Sequence, residues 1–263
     1  MSHDLSQWTI PMFQSWLLIL MRVAPVIFMM PLFHSKNIPN RVKAGLTMVI
    51  GLVLLPTVKA EVGPFPSEPL SFGFFTLSEL MIGMLLGFSV RLVFGGLQLA
   101  GELAGFQMGF GMARVMDPQS GSESTVVSEF YYLIGLLLFL AVDGHHWFFR
   151  ALTESFHLLA PGEFHFREGL ARLLILLSGG MFVLALKIVA PILSIMVVVQ
   201  IALGVIARMI PQVNLLMTSF PLTISLGLVF LGLSMDAFWP FLQNLMEESG
   251  RGLVSTLLPL MKR

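Results

Sequence analysis

The chain has 263 residues, of which 56% are hydrophobic and 11% are charged. Soluble globular domains carry about 25% charged residues, so this composition excludes a water-soluble fold and predicts an integral membrane protein. The 15 Lys+Arg residues balance 15 Asp+Glu residues, so no nucleic-acid-binding surface is expected. There is no cysteine, which excludes disulfides, thiol nucleophiles and thiolate metal ligands.

The first apolar run, Trp16 to Phe33, is about one bilayer crossing long. No cation precedes this run and no small-residue cleavage site follows it, so we expect it to remain in the mature protein as a helix. The polar connector 34–43 carries three cations, which by the positive-inside rule predicts a cytoplasmic connector and an external N-terminus. The tail Lys262-Arg263 also reads as cytoplasmic.

Two apolar runs are much longer than one crossing. The run Leu70 to Met112 is either two segments or one helix taller than the bilayer, and Gly95-Gly96 is the predicted break. The run Gly169 to Ala207 has possible breaks at Gly179-Gly180 and Pro191. Runs of this length indicate helical hairpins or segments that are lifted out of the bilayer.

Four further apolar runs complete the chain, at 44–58, 125–142, 147–160 and 215–242. The run 147–160 is too short to span a bilayer comfortably. We see no internal repeat and no second domain. The sequence therefore predicts an all-α membrane protein in which residues 1–263 form a single domain.

Charged residues inside the apolar runs are expensive in hydrocarbon, at roughly 2.5–3.5 kcal/mol each on insertion scales. They must therefore face protein, water or one another. Two roles are open, a proton or ion relay and pairing at a subunit interface, and we favour the pairing. These residues are Arg22, Glu79, Arg91, Glu102 and Lys187.

A ridge of four-residue spacing runs along the segment that begins at Glu79. Gly83, Gly87, Arg91 and Gly95 follow Glu79 at intervals of four residues. Residues four apart lie on one helix face, so the glycines line a groove with an acid near one end and a base near the other. Small residues at this spacing let helices approach closely in lipid.

The stretch from Gly101 to Gly121 has an unusual composition. Small residues recur every fourth position at its start, at Gly101, Gly105 and Gly109. Methionine and phenylalanine then alternate with glycine until the turn at Asp117-Pro118. These side chains could be ordinary core. However, apolar and polarizable side chains on a glycine-rich backbone are also suited to a flexible seal, so the segment is a candidate plug for a pore.

The sequence gives little support for a catalytic site or a metal site. Asp143, His145 and His146 lack HExxH-type spacing, and neighbouring helical residues point about 100° apart. His157 and His165 would have to close a metal site from a distance, so we interpret the group as a helix-end cluster. The polar stretch Ser120–Ser124 lacks a GxSxG elbow. We therefore predict no catalytic residue, no metal and no cofactor.

Four stretches together carry a family resemblance: MRVAPVIFMMPLFHSKNIPNRVKAGL, ELMIGMLLGF, LQLAGELAGFQMGFGMARVMDPQSG and FYYLIGLLLFLAVDGHH. They resemble the FliR family, the R subunits of the flagellar export gate, which are homologous to injectisome subunits of type III secretion. The resemblance covers essentially the whole chain and is strongest over residues 17–160. It favours a flagellar system over an injectisome.

The resemblance implies a fold of kinked helical hairpins that forms part of a helical ring around an export pore. It implies one copy of this chain with several FliP and FliQ subunits, FlhB in contact with the gate, and FlhA nearby. The expected location is the bacterial inner membrane, within the flagellar basal body. The implied closure segment is Phe106, Gln107, Met108, Gly109, Phe110, Gly111, Met112, Arg114, Val115, Met116 and Asp117. Independently of the resemblance, residue spacing and intramembrane charge predict these helix-packing and charge positions: Arg22, Glu79, Gly83, Gly87, Arg91, Gly101, Glu102, Gly105 and Lys187.

The function predicted is that of a non-enzymatic core subunit that forms part of the pore and its plug for unfolded flagellar substrates. No P-loop GxxxxGK[ST] is present, so energy would come from other components. One alternative is a secondary transporter that uses Glu79, Arg91 and Lys187 as coupling charges, although the two similar halves typical of transporters are not visible. Another is an intramembrane hydrolase that depends on His145 or His146.

Overall fold

The computed structural model describes residues 5–33, 38–58, 66, 68–111, 124–209 and 215–261. Helices dominate this part of the chain, and no strand occurs in it, which confirms the prediction of an all-α membrane protein. The elements are α1 (Leu5–Met29), a 3₁₀ turn (Pro31–Phe33), α2 (Asn40–Val58), α3 (Pro69–Met108), α4 (Val126–Ala141), α5 (Gly144–Leu158), α6 (Glu168–Met209), α7 (Leu215–Gly252), a π-helical turn (Leu253–Leu257) and α8 (Leu258–Met261).

Five helical stretches of the described chain are long and apolar enough to cross a membrane: Met12–Met29, Asn40–Val58, Pro69–Met108, Glu168–Met209 and Ser219–Met261. The pair α4 and α5 passes the same test only when the two helices are taken together across their break. Helix α3 has 40 residues and α6 has 42. At 1.5 Å per residue each is about 60 Å long, roughly twice the thickness of a bilayer's hydrocarbon core.

The predicted breaks at glycine pairs are wrong. Helix α3 continues through Gly95-Gly96, and α6 continues through Gly179-Gly180 and Pro191. Of the two alternatives for the first long run, the single tall helix is correct. At Gly95 and Gly96 the glycines serve packing, since an added Cβ would lie 3.1 Å from Met181 Sδ and 2.8 Å from Leu184 Cδ2, respectively. A glycine inside a hydrogen-bonded helix costs only about 1 kcal/mol relative to alanine, which is too little to interrupt it.

Contacts within the chain divide it into two compact units. The first comprises Met1–Leu92, Asp143–Leu177 and Met246–Arg263, and the second comprises Val93–Val142 and Ser178–Leu245. Helices α3, α6 and α7 contribute residues to both units. The single-domain organisation of residues 1–263 stays a prediction.

In the first unit, α1 and α2 pack together as a hairpin. Helix α2 buries one ridge of residues spaced four apart, Lys43, Thr47, Gly51 and Leu55. Gly51 permits the close approach, because an added Cβ would lie 2.8 Å from Leu20 Cδ2. The remaining faces of α2 stay apolar yet exposed, and Val53 is 68% exposed. Within the described part of the chain, α2 is therefore buried mainly along this one ridge.

The second unit is built from the C-terminal part of α3, helix α4, the C-terminal part of α6 from residue 178 and the N-terminal part of α7 up to residue 245. Edge-to-face aromatic pairs fill it: Phe94 and Phe139 have ring centroids 5.7 Å apart, and Tyr131 and Phe238 have centroids 5.4 Å apart. Gly135 lies directly under the Leu97 side chain. These contacts hold the C-terminal part of α3, which leads to the candidate plug, against α4, and they hold α4 against α7.

Candidate functional site

The described part of the candidate plug begins where α3 ends. The carbonyl oxygen of Phe106 accepts the Gly109 N–H at 3.1 Å, and that of Gly105 accepts the Phe110 N–H at 2.9 Å. Gly109 has a φ of +99°, in the left-handed region that favours glycine. This pair of hydrogen bonds around a left-handed glycine is the Schellman motif, so α3 ends in a defined cap rather than fraying.

Met108, the last helical residue, is fixed to α7. Its side chain is fully buried, and its backbone carbonyl accepts the Thr223 hydroxyl at 3.0 Å. Gly227 makes room for the thioether, because an added Cβ there would overlap the Met108 side chain. Next to it, an added Cβ on Gly109 would lie 2.9 Å from the Phe220 ring. Met108 is therefore a core residue, which agrees with the interpretation of this position as ordinary core rather than as part of a flexible seal.

The residues around Met108 have different environments. Gln107 is half-buried, and its Oε1 accepts the Gln200 side-chain amide at 2.6 Å. Phe106 is 57% exposed. Its ring lies over Gly111, where an added Cβ would be 2.7 Å from Cε1. Phe110 is half-buried. The first six candidate gate residues thus form an anchored base with one exposed aromatic ring.

The remaining candidate gate residues lie outside the described part of the chain. They are Met112, Arg114, Val115, Met116 and Asp117. Their role as a plug stays a prediction.

The chain returns to the end of α3 at the start of α4. Glu102 Oε1 accepts the Thr125 N–H at 2.9 Å, and the Thr125 hydroxyl caps α4 by accepting the Ser128 N–H at 3.1 Å. Gly101 and Gly105 let this turn approach, since an added Cβ at Gly101 would overlap the Ser128 backbone and one at Gly105 would lie 2.7 Å from Thr125 Oγ1. Glu102, predicted as an intramembrane charge, therefore contributes to a hydrogen-bonded helix junction.

Arg22 and Glu79 form a fully buried ion pair in the first unit. Arg22 Nε lies 2.7 Å from Glu79 Oε2, and Nη2 lies 3.1 Å from Oε1. The Arg22 guanidinium also donates to the Ser155 carbonyl at 2.7 Å, the Ser155 hydroxyl at 3.2 Å and the Leu159 carbonyl at 3.3 Å. All five guanidinium N–H groups therefore have an acceptor. The Phe156 ring covers the group, with its centroid 4.1 Å from Cζ.

Glu79 also holds the connection between α5 and α6. Its Oε1 accepts the Gly162 N–H at 3.1 Å, and the neighbouring Ser78 hydroxyl accepts the Phe164 N–H at 3.2 Å. The ion pair thus joins α1, α3 and the end of α5. A buried pair is tolerated where its remaining polar atoms are hydrogen-bonded, as they are here.

The ridge of α3 that begins at Glu79 is buried at its glycines Gly83 and Gly87 and exposed at Arg91. Gly83 and Gly87 are buried against α1, where an added Cβ would overlap the Arg22 carbonyl oxygen at Gly83 and lie 2.7 Å from Met29 Cβ at Gly87. Arg91 is exposed. A four-residue step turns a helix by about 400°, so the ridge rotates by about 40° per step and Arg91 lies about 120° around α3 from Glu79. The glycine groove on α3 therefore does not extend to Arg91.

Lys187, in the middle of α6, is also exposed. Neither Lys187 nor Arg91 forms an ion pair with any residue that the structure describes. The intramembrane charges thus divide into a buried, internally bonded set and an exposed set.

Asp143, His145 and His146 lie together at the start of α5. The Asp143 carboxylate is 3.3 Å from His146 Nδ1 and 4.0 Å from His145 Nε2. This agrees with a cluster at a helix end. His157 and His165 are exposed elsewhere, and His165 Nδ1 lies 2.9 Å from the Glu163 carbonyl.

Residues 13–249 match the family described as bacterial export proteins, family 1. The chain belongs to this family. Among its relatives, the flagellar biosynthetic protein FliR of Pectobacterium carotovorum subsp. carotovorum is 33% identical over 94% of this chain and 92% of its own length. FliR of Escherichia coli (strain K12) is 31% identical over 87% of both chains, and FliR of Bacillus subtilis (strain 168) is 27% identical over 94% of this chain and 96% of its own.

These matches confirm the FliR resemblance. Together with the apolar helices, they identify a membrane-embedded component of the flagellar export apparatus. Membership of the bacterial export family indicates a structural or transport component that associates with other parts of that apparatus.

Sequence reasoning missed several partners in this FliR-like chain. Ser155 and the Leu159 carbonyl complete the bonding of Arg22, and Thr223 and Gln200 hold the end of α3. Thr223 and Gln200 lie more than 90 residues from their partners, and no local pattern links residues at that separation. The signal available for the ion pair was a base, Arg22, in the first apolar run and an acid, Glu79, in the run Leu70 to Met112, because opposite charges need each other in a low-dielectric setting.

Proposed function

We propose that this chain is a non-enzymatic wall subunit of the flagellar protein-export pore, and that the segment following α3 forms part of its plug. The observation that carries the proposal is the capped end of α3. Met108 is fully buried and bonded to Thr223, and Gly109 turns the chain at this point. A segment that must close and reopen a pore needs a fixed base at which motion stops.

The length of the apolar helices supports a role within a larger assembly. Helices α3 and α6 are about twice as long as the hydrocarbon core, so lipid alone does not cover them. Many of their large side chains are exposed, including Phe74, Ile175 and Ile201, at 66%, 73% and 64%. Apolar surfaces of this extent mark contacts with other proteins or with lipid.

The exposed cations support the same assembly. Arg91 and Lys187 are both exposed on apolar helices, and Lys187 lies beside the exposed side chains of Val183 and Leu186. A cation in such surroundings needs an acidic partner or water. The proposed partners are those that the family resemblance implies: FliP and FliQ subunits around one copy of this chain, FlhB against the gate and FlhA nearby. The proposed location is the bacterial inner membrane within the flagellar basal body.

The transporter alternative is weakened by the bonding of Glu79. A coupling carboxylate must gain and lose a proton or an ion during the cycle. Glu79 instead accepts two hydrogen bonds from Arg22 and one from the Gly162 N–H. Since these bonds fix the position of the side chain, Glu79 is suited to a structural role.

The plug proposal is tested by shortening the segment beyond its anchor. Deletion of residues 112–117 leaves Met108 and its contacts with α7 intact, and we expect this variant to leak ions and to change the secretion of flagellar substrates. Membrane conductance and secreted flagellin are the measurements. The control is Gly252→Ala, because Gly252 lies outside α3 and α6 and has no atom of the described chain within 4 Å of an added Cβ, so its substitution should leave both unchanged. If the deletion assembles but neither leaks nor alters secretion, the plug assignment is wrong.

The assembly proposal is tested by the mass of the complex. The tagged full chain, extracted in mild detergent with its co-expressed candidate partners, should appear as one copy in a complex with unlike subunits by native mass spectrometry. Because the natural sequence lacks cysteine, single cysteines placed on the exposed face of α6 can be cross-linked without background. A chain that purifies alone, as a monomer or homodimer, would contradict the proposal.

A further inference from the structure

The cluster at the start of α5 has the chemistry of a metal site. One ligand atom from each of Asp143, His145 and His146 lies within 4.8 Å of the other two. The donors are two imidazole nitrogens and one carboxylate oxygen, a set that suits Zn²⁺ and other late divalent transition metals. We infer that this chain binds one Zn²⁺-class ion through Asp143, His145 and His146.

The separations of the three groups fit a single ion. Two ligand atoms that are each about 2.1 Å from the same tetrahedral Zn²⁺ lie about 3.4 Å from each other. The Asp143 oxygen is 3.3 Å from His146 Nδ1 and 4.0 Å from His145 Nε2. The two rings lie side by side, with centroids 4.2 Å apart. Side-chain adjustments of about an ångström or less close the carboxylate–imidazole distances.

Asp143 is held in a conformation that leaves its carboxylate available. It occupies the N-cap position of α5 with φ 55° and ψ 31°, and it is the one non-glycine residue of the described chain with positive φ. An N-cap aspartate ordinarily accepts a backbone N–H of the first turn. The Asp143 side chain makes no such bond and lies instead against the two imidazoles.

Charge and access permit binding. The N-terminus of a helix carries about half a positive elementary charge, which opposes a cation, but the full negative charge of the adjacent carboxylate outweighs it. The side chains of Asp143 and His146 are 71% and 70% exposed, so the ion can enter and a water can complete the coordination. The bound ion would fasten the residue that precedes α5 onto the first turn of that helix.

The test uses the full chain, purified in detergent and stripped of metal with EDTA. Zn²⁺ is titrated against a chromophoric competitor, and Co²⁺ is added separately as a spectroscopic probe. We expect one Zn²⁺ per chain, visible absorption typical of four-coordinate Co²⁺, and a Zn²⁺-dependent rise in the melting temperature. The double variant His145→Ala/His146→Ala should lose all three signals. Asp143→Asn should bind at least tenfold more weakly, because asparagine tolerates the left-handed conformation but lacks the charge.

The matched control is His157→Ala, which removes an exposed histidine from the last turn of the same helix. This variant should bind Zn²⁺ as the natural chain does. The inference is overturned if the natural chain binds no Zn²⁺, or if the double variant binds it with unchanged affinity. Circular dichroism of each variant shows that the helices are retained, so a lost signal reports the site.

Discussion

Arg22 and Arg91 both lie in the interior of apolar helices, and their surroundings are opposite. Arg22 on α1 is fully buried, with an acceptor for each of its five N–H groups and an aromatic ring over its guanidinium. Arg91 on α3 is exposed and has no ion pair in the described chain. The sequence presents both as intramembrane charges. The structure assigns Arg22 to the folding of the chain itself and leaves Arg91 at its surface.

The difference shows that an intramembrane charge does not by itself indicate a pathway for ions. A buried charge whose bonds are complete fixes the positions of the segments that supply the acceptors. A charge at an apolar surface has no such function within the chain. It is therefore a candidate for contact with another subunit.

The largest expected effect is the loss of one member of the buried pair. Arg22→Ala or Glu79→Ala should each lower the free energy of unfolding by about 3–5 kcal/mol, because the partner charge is left buried without compensation. Thermal unfolding in detergent and accumulation in the membrane are the measurements. The double variant Arg22→Met/Glu79→Leu should be more stable than either single variant, and a double variant that loses the sum of both effects would contradict the pairing.

A smaller effect is expected at the glycine that admits the Arg22 backbone. In Gly83→Ala the new Cβ would overlap the Arg22 carbonyl oxygen, so we expect a destabilisation of about 1–3 kcal/mol. Gly73→Ala is the matched control, since it is the same substitution in the same helix with nothing within 4 Å of the new Cβ. It should be neutral or stabilise by up to about 1 kcal/mol. Equal melting temperatures for the two variants would show that the close approach of α1 and α3 does not contribute to stability.

The smallest effect on the chain itself is expected at the exposed arginine. Arg91→Met should change the free energy of unfolding by less than about 0.5 kcal/mol, as is usual for surface positions. It should nevertheless reduce the yield of the assembled complex if a partner carboxylate pairs with Arg91. The ratio of assembled to free chain after affinity purification measures this, with Arg172→Met as the control, because Arg172 is an exposed arginine bonded to Glu168 within its own helix. If Arg91→Met lowered the free energy of unfolding and left assembly unchanged, Arg91 would contribute to folding as Arg22 does, and the contrast between the two arginines would be wrong.

Much of the fold follows from simple patterns. Apolar run lengths predict the long helices, and small residues every four positions predict the close contacts at Gly83, Gly87, Gly101 and Gly105. The predicted breaks at the glycine pairs are wrong, because a glycine inside a helix can allow a neighbouring helix to pack closely and need not mark a turn. Gly96 against α6 is the clearest case.

Less of the candidate site could be predicted. Composition and glycine content single out the segment after Gly101, but they do not distinguish Met108, which is core, from a seal residue. That distinction depends on Thr223 and Gly227, which are distant in sequence. Likewise, the sequence favours pairing of Arg22 and Glu79 at a subunit interface, whereas the fold pairs them with each other inside the chain and brings Ser155 to complete the bonding.

The bonding of Arg22 sets a condition on how the chain is made. Arg22 is synthesised 57 residues before Glu79 and 133 residues before Ser155. While the nascent chain grows, the first helix therefore carries a guanidinium whose acceptors do not yet exist. The carboxylate partner of Arg22 arrives with α3, and the carbonyl partners arrive only with the fifth helix and the residue that follows it, so the full set of bonds around Arg22 can form only late in biosynthesis.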